Sequence, residues 1–467
     1  MAVRTRRGRN KSMGDNDRTR LLKDAAQRAI RYLDGVQHRS VAPTPESVAA
    51  LEALDMALPQ HGATDYEVLQ ALDELGSPAS MVTNGPCFFG FVTGGVLPAS
   101  LAANWLAAVW DQNAMFHEAA PAAAVLEQVA LGWLLDLFDL PADSGGAFVT
   151  GATMANFVAL AAARYAVLGE AGWDVEAHGL FGAPRITVVV GAEAHASIFK
   201  ALGMLGLGRN RVLTLPVDGQ GRIRTDDLPS LSGPAIVCAQ AGNVNTGSFD
   251  AVDKLCAWAR QSGAWVHVDG AFGLWATAAP ERAHLAAGIS EADSWATDAH
   301  KWLNVPYDSG LAFVRRPQAL RAAMAVSADY LPEPGGNRNP SDYTPELSRR
   351  SRGVEIWAAL RSLGREGVAD LVERCCQHAR RFADGLQAAG YEVLNDVVLN
   401  QVLVSFGDEA TTRRVIAGIQ EEGTCWCGGT VWQGRRAMRI SVSGWETTEE
   451  DVERSLQAML QVAARHT

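Results

Sequence analysis

The sequence predicts an α/β protein with a mostly parallel sheet in a large domain and a small α+β domain at the C-terminal end. Two observations lead there. Short β-branched runs alternate with helical segments through the middle of the chain, the pattern of crossover units that feed parallel strands. Beyond about residue 345, long helical patterns mix with two separate strand-like runs, NQVLVSFGD and AMRISVSGW, and a final helical stretch, EDVERSLQAMLQVAAR.

Taken in order, residues 18–35 carry helical periodicity that stops at Gly35. Thr44-Pro45-Glu46-Ser47 reads as a helix start, with proline in the first turn. GAFVTG (146–151) reads as a strand followed by helical ANFVALAAARYAVL, and ITVVVG (186–191) as a strand followed by SIFKALGML. AIVCAQAG (235–242), AWVHVDGA (264–271) and GLAFVRR (310–316) are further strand-like runs. Residues 317–352 turn rich in Pro, Gly, Asn and Asp and are too long for a simple connector, so they form a lid or a boundary. The expected division is a tail and helical segment over 1–80, a large domain over 81–345 with a mobile loop at about 325–350, and a small domain over 346–467.

Bulk properties exclude several classes. The formal net charge is −11, and a nucleic-acid partner calls for a basic face. The seven cysteines (Cys87, Cys238, Cys256, Cys375, Cys376, Cys425 and Cys427) form no CxxC pair, so no metal is expected and a reduced, cytoplasmic protein fits. The first 18 residues are basic and polar without an apolar core, which reads as a disordered tail, not a secretory signal. No apolar run reads as a membrane span.

The chemistry concentrates in SWATDAHKWLNVPYDSG (294–310). A lysine set among Trp295, Trp302 and Leu303 would have its ammonium form disfavoured by desolvation, leaving an amine able to form a Schiff base. Asp269 ends the run WVHVD, where an open α/β sheet places its ligand crevice; a carboxylate there could keep a pyridine nitrogen protonated. Thr150-Gly151-Ala152-Thr153, with Asn156 following, joins a strand to a helix, and free N–H groups at such a helix start suit a phosphate. His195 follows another strand and could stack on a planar ring. Each signal is weak alone. Together they form one ordered set at strand ends.

With these residues in place, the chain resembles the group II decarboxylases that use pyridoxal 5'-phosphate (PLP), the family of aromatic-L-amino-acid and glutamate decarboxylases. The resemblance runs from about residue 80 to about 455. Its most specific piece is DSWATDAHKWL (293–303), supported by WVHVDGAFG, AHASIFKALGMLGLG, VTGATMANFVAL and HEAAPAAAVLEQV. It implies a fold type I, PLP-dependent transferase-like architecture, a homodimer with interface active sites, and a small-molecule amino-acid substrate. Carried over by residue, Lys301 is the Schiff-base lysine, Asp269 the partner of the pyridinium and His195 the stacking residue. Ala152, Thr153, Ser294 and His300 would lie at the phosphate and Asn243 near the cofactor, and Arg439 would meet the substrate carboxylate. Phe88, Phe89 and Phe116, with Phe91 and Trp110 beside them, suggest an aromatic or apolar substrate; core or dimer interface is the other reading of these rings.

The chain departs from the pattern at Met154, Ala152 and Gly270, and most clearly in the loop. There Pro340 stands where the family's proton-donating tyrosine is counted, with Tyr343 and Tyr330 as nearby candidates. Decarboxylation is therefore the expected reaction. Aldehyde synthesis or transamination on the same scaffold remains open, as does a scaffold protein without catalysis.

Overall fold

The computed structural model describes residues 15–326 and 336–466. Tyr330, residues 1–14 of the basic tail and the middle of the expected loop lie outside the described residues, while residues 15–18, expected to belong to the tail, are helical. The described chain parts into two compact units at Gly85 and Pro86.

The first unit opens on helix Asp15–Gly35, which ends at the glycine that the sequence marks. Thr44 caps the next helix, Pro45–Ala49, by accepting a hydrogen bond from the Ser47 amide. Arg28 joins Asp24 and Asp73 at 2.8 and 2.9 Å, tying the long helix to residues far along the chain.

The second unit carries two sheets. The strands of the large sheet are β1 (Gly145–Val149), β2 (Thr187–Gly191), β3 (Val212–Leu215), β4 (Ala235–Gln240), β5 (Trp265–Asp269), β6 (Ser294–Asp298) and β7 (Gly310–Val314). They are ordered β1-β7-β6-β5-β4-β2-β3. Only β7 runs against its neighbours, β1 and β6. The other pairs (β2 with β3 and β4, β4 with β5, β5 with β6) are parallel. The strand-like runs read from the sequence are all present. β3 and β6 are additions, and β6 carries the residues leading into Lys301.

Helix Ala152–Glu170 crosses the sheet and is buried along most of its length among Val158, Leu160, Ala162 and Val167. It is long and apolar enough to cross a membrane by length and composition, contrary to the expectation that no run would be. Its burial against the strands marks it as a core helix.

The small sheet is antiparallel: β8 (Glu392–Val393), β9 (Gln401–Ser405), β10 (Gly428–Trp432) and β11 (Arg435–Ser441), ordered β10-β11-β9-β8. Helix Arg352–Ala388 begins beside the large sheet's helices and continues under β9, with a break in helical geometry at Gly364 (φ 63°). Glycine adopts that left-handed backbone without the clash a side chain would bring.

Candidate active site

The site is assembled at the C-terminal ends of β5 and β6. Asp269 ends β5 and is 3% exposed. Its Oδ2 accepts hydrogen bonds from Asn156 Nδ2 at 3.2 Å and Ser197 Oγ at 3.4 Å, and its Oδ1 accepts from the Ala271 amide at 3.2 Å. Among the described residues no cation lies within ion-pairing distance of it. A buried carboxylate held by neutral donors alone still calls for a positive partner.

The support behind Asp269 reaches further than the sequence reading foresaw. Since Asn156 donates to a carboxylate, its amide oxygen must face His267, whose Nε2 lies 2.9 Å away and therefore carries the proton. His267 Nδ1 then accepts from Ser294 Oγ at 2.9 Å, and Ser294 in turn accepts from Trp265 Nε1 at 2.8 Å. Every polar atom in this chain of contacts is satisfied with one neutral tautomer. Burial pushes His267 down to about 3, so the ring stays neutral. Ser294 is thus corrected: it begins β6, is fully buried and spends its hydroxyl on Trp265 and His267, away from a phosphate.

Lys301 sits on the short helix Ala299–Trp302 that follows β6 directly. Trp295, Trp302 and Leu303, expected to surround its amine, are buried core side chains. Lys301 Nζ lies 2.9 Å from Asp298 Oδ2 and 5.9 Å from the centroid of the Phe272 ring. Asp298 is the residue that the sequence reading missed. Its Oδ1 also accepts the Ala152 amide at 2.5 Å, so it joins the lysine to the N-terminus of helix Ala152–Glu170. A carboxylate at that end is favoured by the helix dipole.

The neighbouring turns are close-packed. A Cβ on Gly94 would overlap the Lys301 carbonyl oxygen, and one on Gly310 would overlap Gly151. His300 accepts the Ser309 amide on Nδ1 at 3.1 Å, and its Nε2 lies 3.5 Å from Asp298 Oδ1. Its pKa is lowered, first by burial.

His195 caps helix Ala196–Met204 through Nδ1, accepting from the Ser197 amide at 3.2 Å. Its imidazole is held below the usual histidine value, chiefly by desolvation. Asp269 and Asp298 pull it up, while Lys301 and Arg439 push it further down. The structure therefore gathers His195, Asp269, Asp298, Lys301 and Arg439 within one electrostatic neighbourhood. Arg439, on β11, donates to the Val244 carbonyl at 3.2 Å and has no carboxylate partner among the described residues.

Asn243 accepts from the Asn245 and Thr246 amides of its own turn and donates to Gln240 and, at 3.4 Å, to the Glu193 carbonyl two residues before His195. Thr153 stands in the first turn of helix Ala152–Glu170.

The remaining expectations divide. Phe88 stacks on Trp426 with centroids 5.1 Å apart, and Phe91 lies 5.2 Å from the same ring. Trp426 was not foreseen. Phe89 is corrected to the core: it is 1% exposed and packs edge-on against Phe382. Phe116 is buried. Trp110 is exposed at the end of helix Pro98–Trp110.

Tyr343 is not drawn into the Lys301 cluster. It closes the short turn Pro340–Tyr343, packs on the sheet's apolar helix face and lies under the Arg338 guanidinium at 3.9 Å. Arg338 is itself held by the Gly146 carbonyl at 2.6 Å, beside buried Glu127.

These groups fit pyridoxal phosphate on their own terms. The buried, cation-free Asp269 suits a protonated ring nitrogen, the first-turn amides of helix Ala152–Glu170 suit a phosphate, and Lys301 lies between them. Comparison with known proteins agrees. Residues 45–407 match the family model described as "Pyridoxal-dependent decarboxylase conserved domain". The chain is similar to the aromatic-L-amino-acid decarboxylase of Bacillus atrophaeus, at 25% identity over 93% of this chain and 92% of that protein. It is also similar to the L-2,4-diaminobutyrate decarboxylase of Rhizobium meliloti, at 27% identity over 96% and 93%. Among solved structures, Oryza sativa TDC with PLP and tryptamine superposes with a TM-score of 0.88 at 22% identity, covering 97% of this chain and 99% of that one. The fold, the family match and the lysine-centred site agree: the chain belongs to the pyridoxal-dependent decarboxylase family and is a PLP-dependent carboxy-lyase.

Proposed function

We propose that this enzyme removes the carboxylate of an aromatic or apolar L-amino acid, giving the amine and carbon dioxide. One observation carries the reading. Among the described residues buried Asp269 lacks a cation and partly buried Arg439 lacks an anion, and both lie in the field that acts on His195 beside Lys301. The first complements a ring nitrogen and the second a substrate carboxylate.

Bound pyridoxal phosphate supplies the electron sink for bond cleavage. Lys301 would hold the cofactor through its side-chain amine. Asp269, fixed by Asn156, Ser197 and the Ala271 amide, keeps a proton on the ring nitrogen. Thr153 and its neighbours at the helix start bind the phosphate. His195 would face the cofactor ring, and Arg439 would orient the carboxylate so that the scissile bond can align with the conjugated system.

The aromatic group of Phe88, Phe91 and Trp426 supports an aromatic or apolar side chain. A homodimer is supported by the exposed side chains of Trp105, Leu106 and Val109 on one helix and of Val125, Val129 and Trp133 on another, too much apolar surface to leave in water. Seven buried, unpaired cysteines support a reducing compartment.

A second reading, aldehyde synthesis, is favoured by one observation: among the described residues no tyrosine of segment 336–350 reaches Lys301. A screen of the twenty amino acids with added PLP, reading carbon dioxide, ammonia and peroxide together, tests both. Carbon dioxide without ammonia supports decarboxylation, and all three products support the aldehyde. Absence of carbon dioxide with every amino acid overturns both.

A further inference from the structure

We propose that Tyr307 is the acid that returns a proton to the substrate carbon once carbon dioxide has left, an assignment that rests on the decarboxylase reading above. Among the described residues no loop tyrosine reaches Lys301, and another phenol, Tyr307, stands on the same turn as the lysine.

Tyr307 follows Lys301 by six residues and folds back over the same turn. Its ring stacks on the His300 imidazole, with centroids 4.3 Å apart and planes 29° apart. Its hydroxyl lies close enough to Thr93, Lys301 and Asp298 for all three to act on its ionisation. Thr93 is itself fixed beside the lysine. Gly94 packs on the Lys301 carbonyl, the Gly95 amide donates to Asn304 Oδ1 at 2.6 Å, and the Leu97 amide donates to the Asn304 carbonyl at 2.8 Å.

The backbone after Tyr307 is pinned as well. Arg352 Nε donates to Asp308 Oδ1 at 2.9 Å, and the Ser309 amide donates to His300. The residue is 55% exposed, so water can reach the ring.

The phenol is suited to carry a proton at neutral pH. Desolvation raises its pKa first, Asp298 adds to that, and Thr93 and Lys301 oppose it. Tyr343, by contrast, is occupied by Arg338.

The step balances simply. The bond between the α-carbon and the carboxylate breaks, carbon dioxide leaves, and the electron pair stays on the α-carbon side. That pair forms a C–H bond with the Tyr307 proton. The phenolate is stabilised by the Thr93 hydroxyl and regains a proton from water, so each turnover consumes one proton and releases one amine.

Tyr307→Phe tests the assignment, because it keeps the stacked ring and removes only the acid. With the substrate found by the screen, the variant holoenzyme is expected to go on releasing carbon dioxide while amine formed per carbon dioxide falls at least tenfold. The unprotonated carbon is then open to dioxygen. One dioxygen and one water are consumed to give aldehyde, ammonia and hydrogen peroxide.

A second readout needs no turnover. In a spectrophotometric titration of the PLP-free protein, wild type should show a tyrosine ionising above the ordinary range that Tyr307→Phe lacks. An unchanged amine yield, or titration curves that coincide after allowance for one ordinary tyrosine, overturns the assignment. Wild-type protein that releases no carbon dioxide from any amino acid refutes the decarboxylase reading itself, and the assignment with it.

Discussion

Asn156 holds Asp269 through its side-chain nitrogen at 3.2 Å while its oxygen receives the proton of His267, so one amide fixes both a carboxylate and a tautomer. Removing it should loosen the partner offered to the cofactor's ring. A hydrogen bond to a charged group is worth about 1.5–3 kcal/mol, which converts to a tenfold to hundredfold weaker hold. Asn156→Ala should therefore raise the Kd for PLP by at least about tenfold, read by quenching of tryptophan fluorescence in the PLP-free protein. An unchanged Kd would separate the network from cofactor binding.

His267 should make the fold sensitive to acid. Its folded-state pKa, about 3, lies below its ordinary 6.5. The neutral ring thus contributes stability that is complete above about pH 6.5 and is lost as pH falls from there toward 3. The slope is about 1.4 kcal/mol per pH unit from this group. His267→Gln keeps a donor toward Asn156 and cannot titrate. Urea midpoints for the variant should change less between pH 6.5 and pH 4.5 than those of wild type; parallel curves would contradict the assignment.

Lys301→Ala should fold yet bind PLP without the visible absorbance of a lysine-linked cofactor. Borohydride should attach no label to the variant. A retained band with retained turnover would remove Lys301 from its role.

The buried pair of Arg349 and Glu127, 2.8 Å apart, should show strong coupling. Arg349 also donates to the carbonyls of Ala114 and Phe148, so it joins the segment around residue 114 to β1 and to the chain beyond residue 340. Glu127→Leu alone leaves a buried guanidinium without its counter-ion and should cost about 3–5 kcal/mol. The double variant Glu127→Leu with Arg349→Met should cost clearly less than the sum of the two singles in chemical denaturation. Additive losses would argue that the two charges act independently.

Much of this molecule is legible in its sequence because its strands are short, β-branched and buried on both faces. ITVVV, AIVCA and WVHVD could hardly be anything else beside the helices that separate them. β6 was harder to see, since Ser-Trp-Ala-Thr-Asp has no β-branched run and owes its strand state to pairing on both sides with β5 and β7. The ends of strands gave Asp269 and Lys301, because chain order and position suffice there. Ser294, Phe89 and Tyr343 went astray because chain position does not reveal which way a side chain turns or what occupies it. Asp298 was overlooked for a related reason: an aspartate before a short helix looks like an ordinary cap until its second oxygen is found on a lysine.

Asn304, three residues after Lys301 and in a left-handed conformation (φ 54°), accepts the Gly95 and Trp445 amides on one oxygen and donates to the carbonyls of Trp302 and Ser443. Its partner Trp445 lies 141 positions later in the chain. During synthesis the lysine segment therefore emerges long before the contacts that clamp it. A nascent or truncated chain ending before Ser443 has β1–β7 but leaves this asparagine half-satisfied. The turn behind the lysine is therefore completed only by a segment made 139 to 141 positions later.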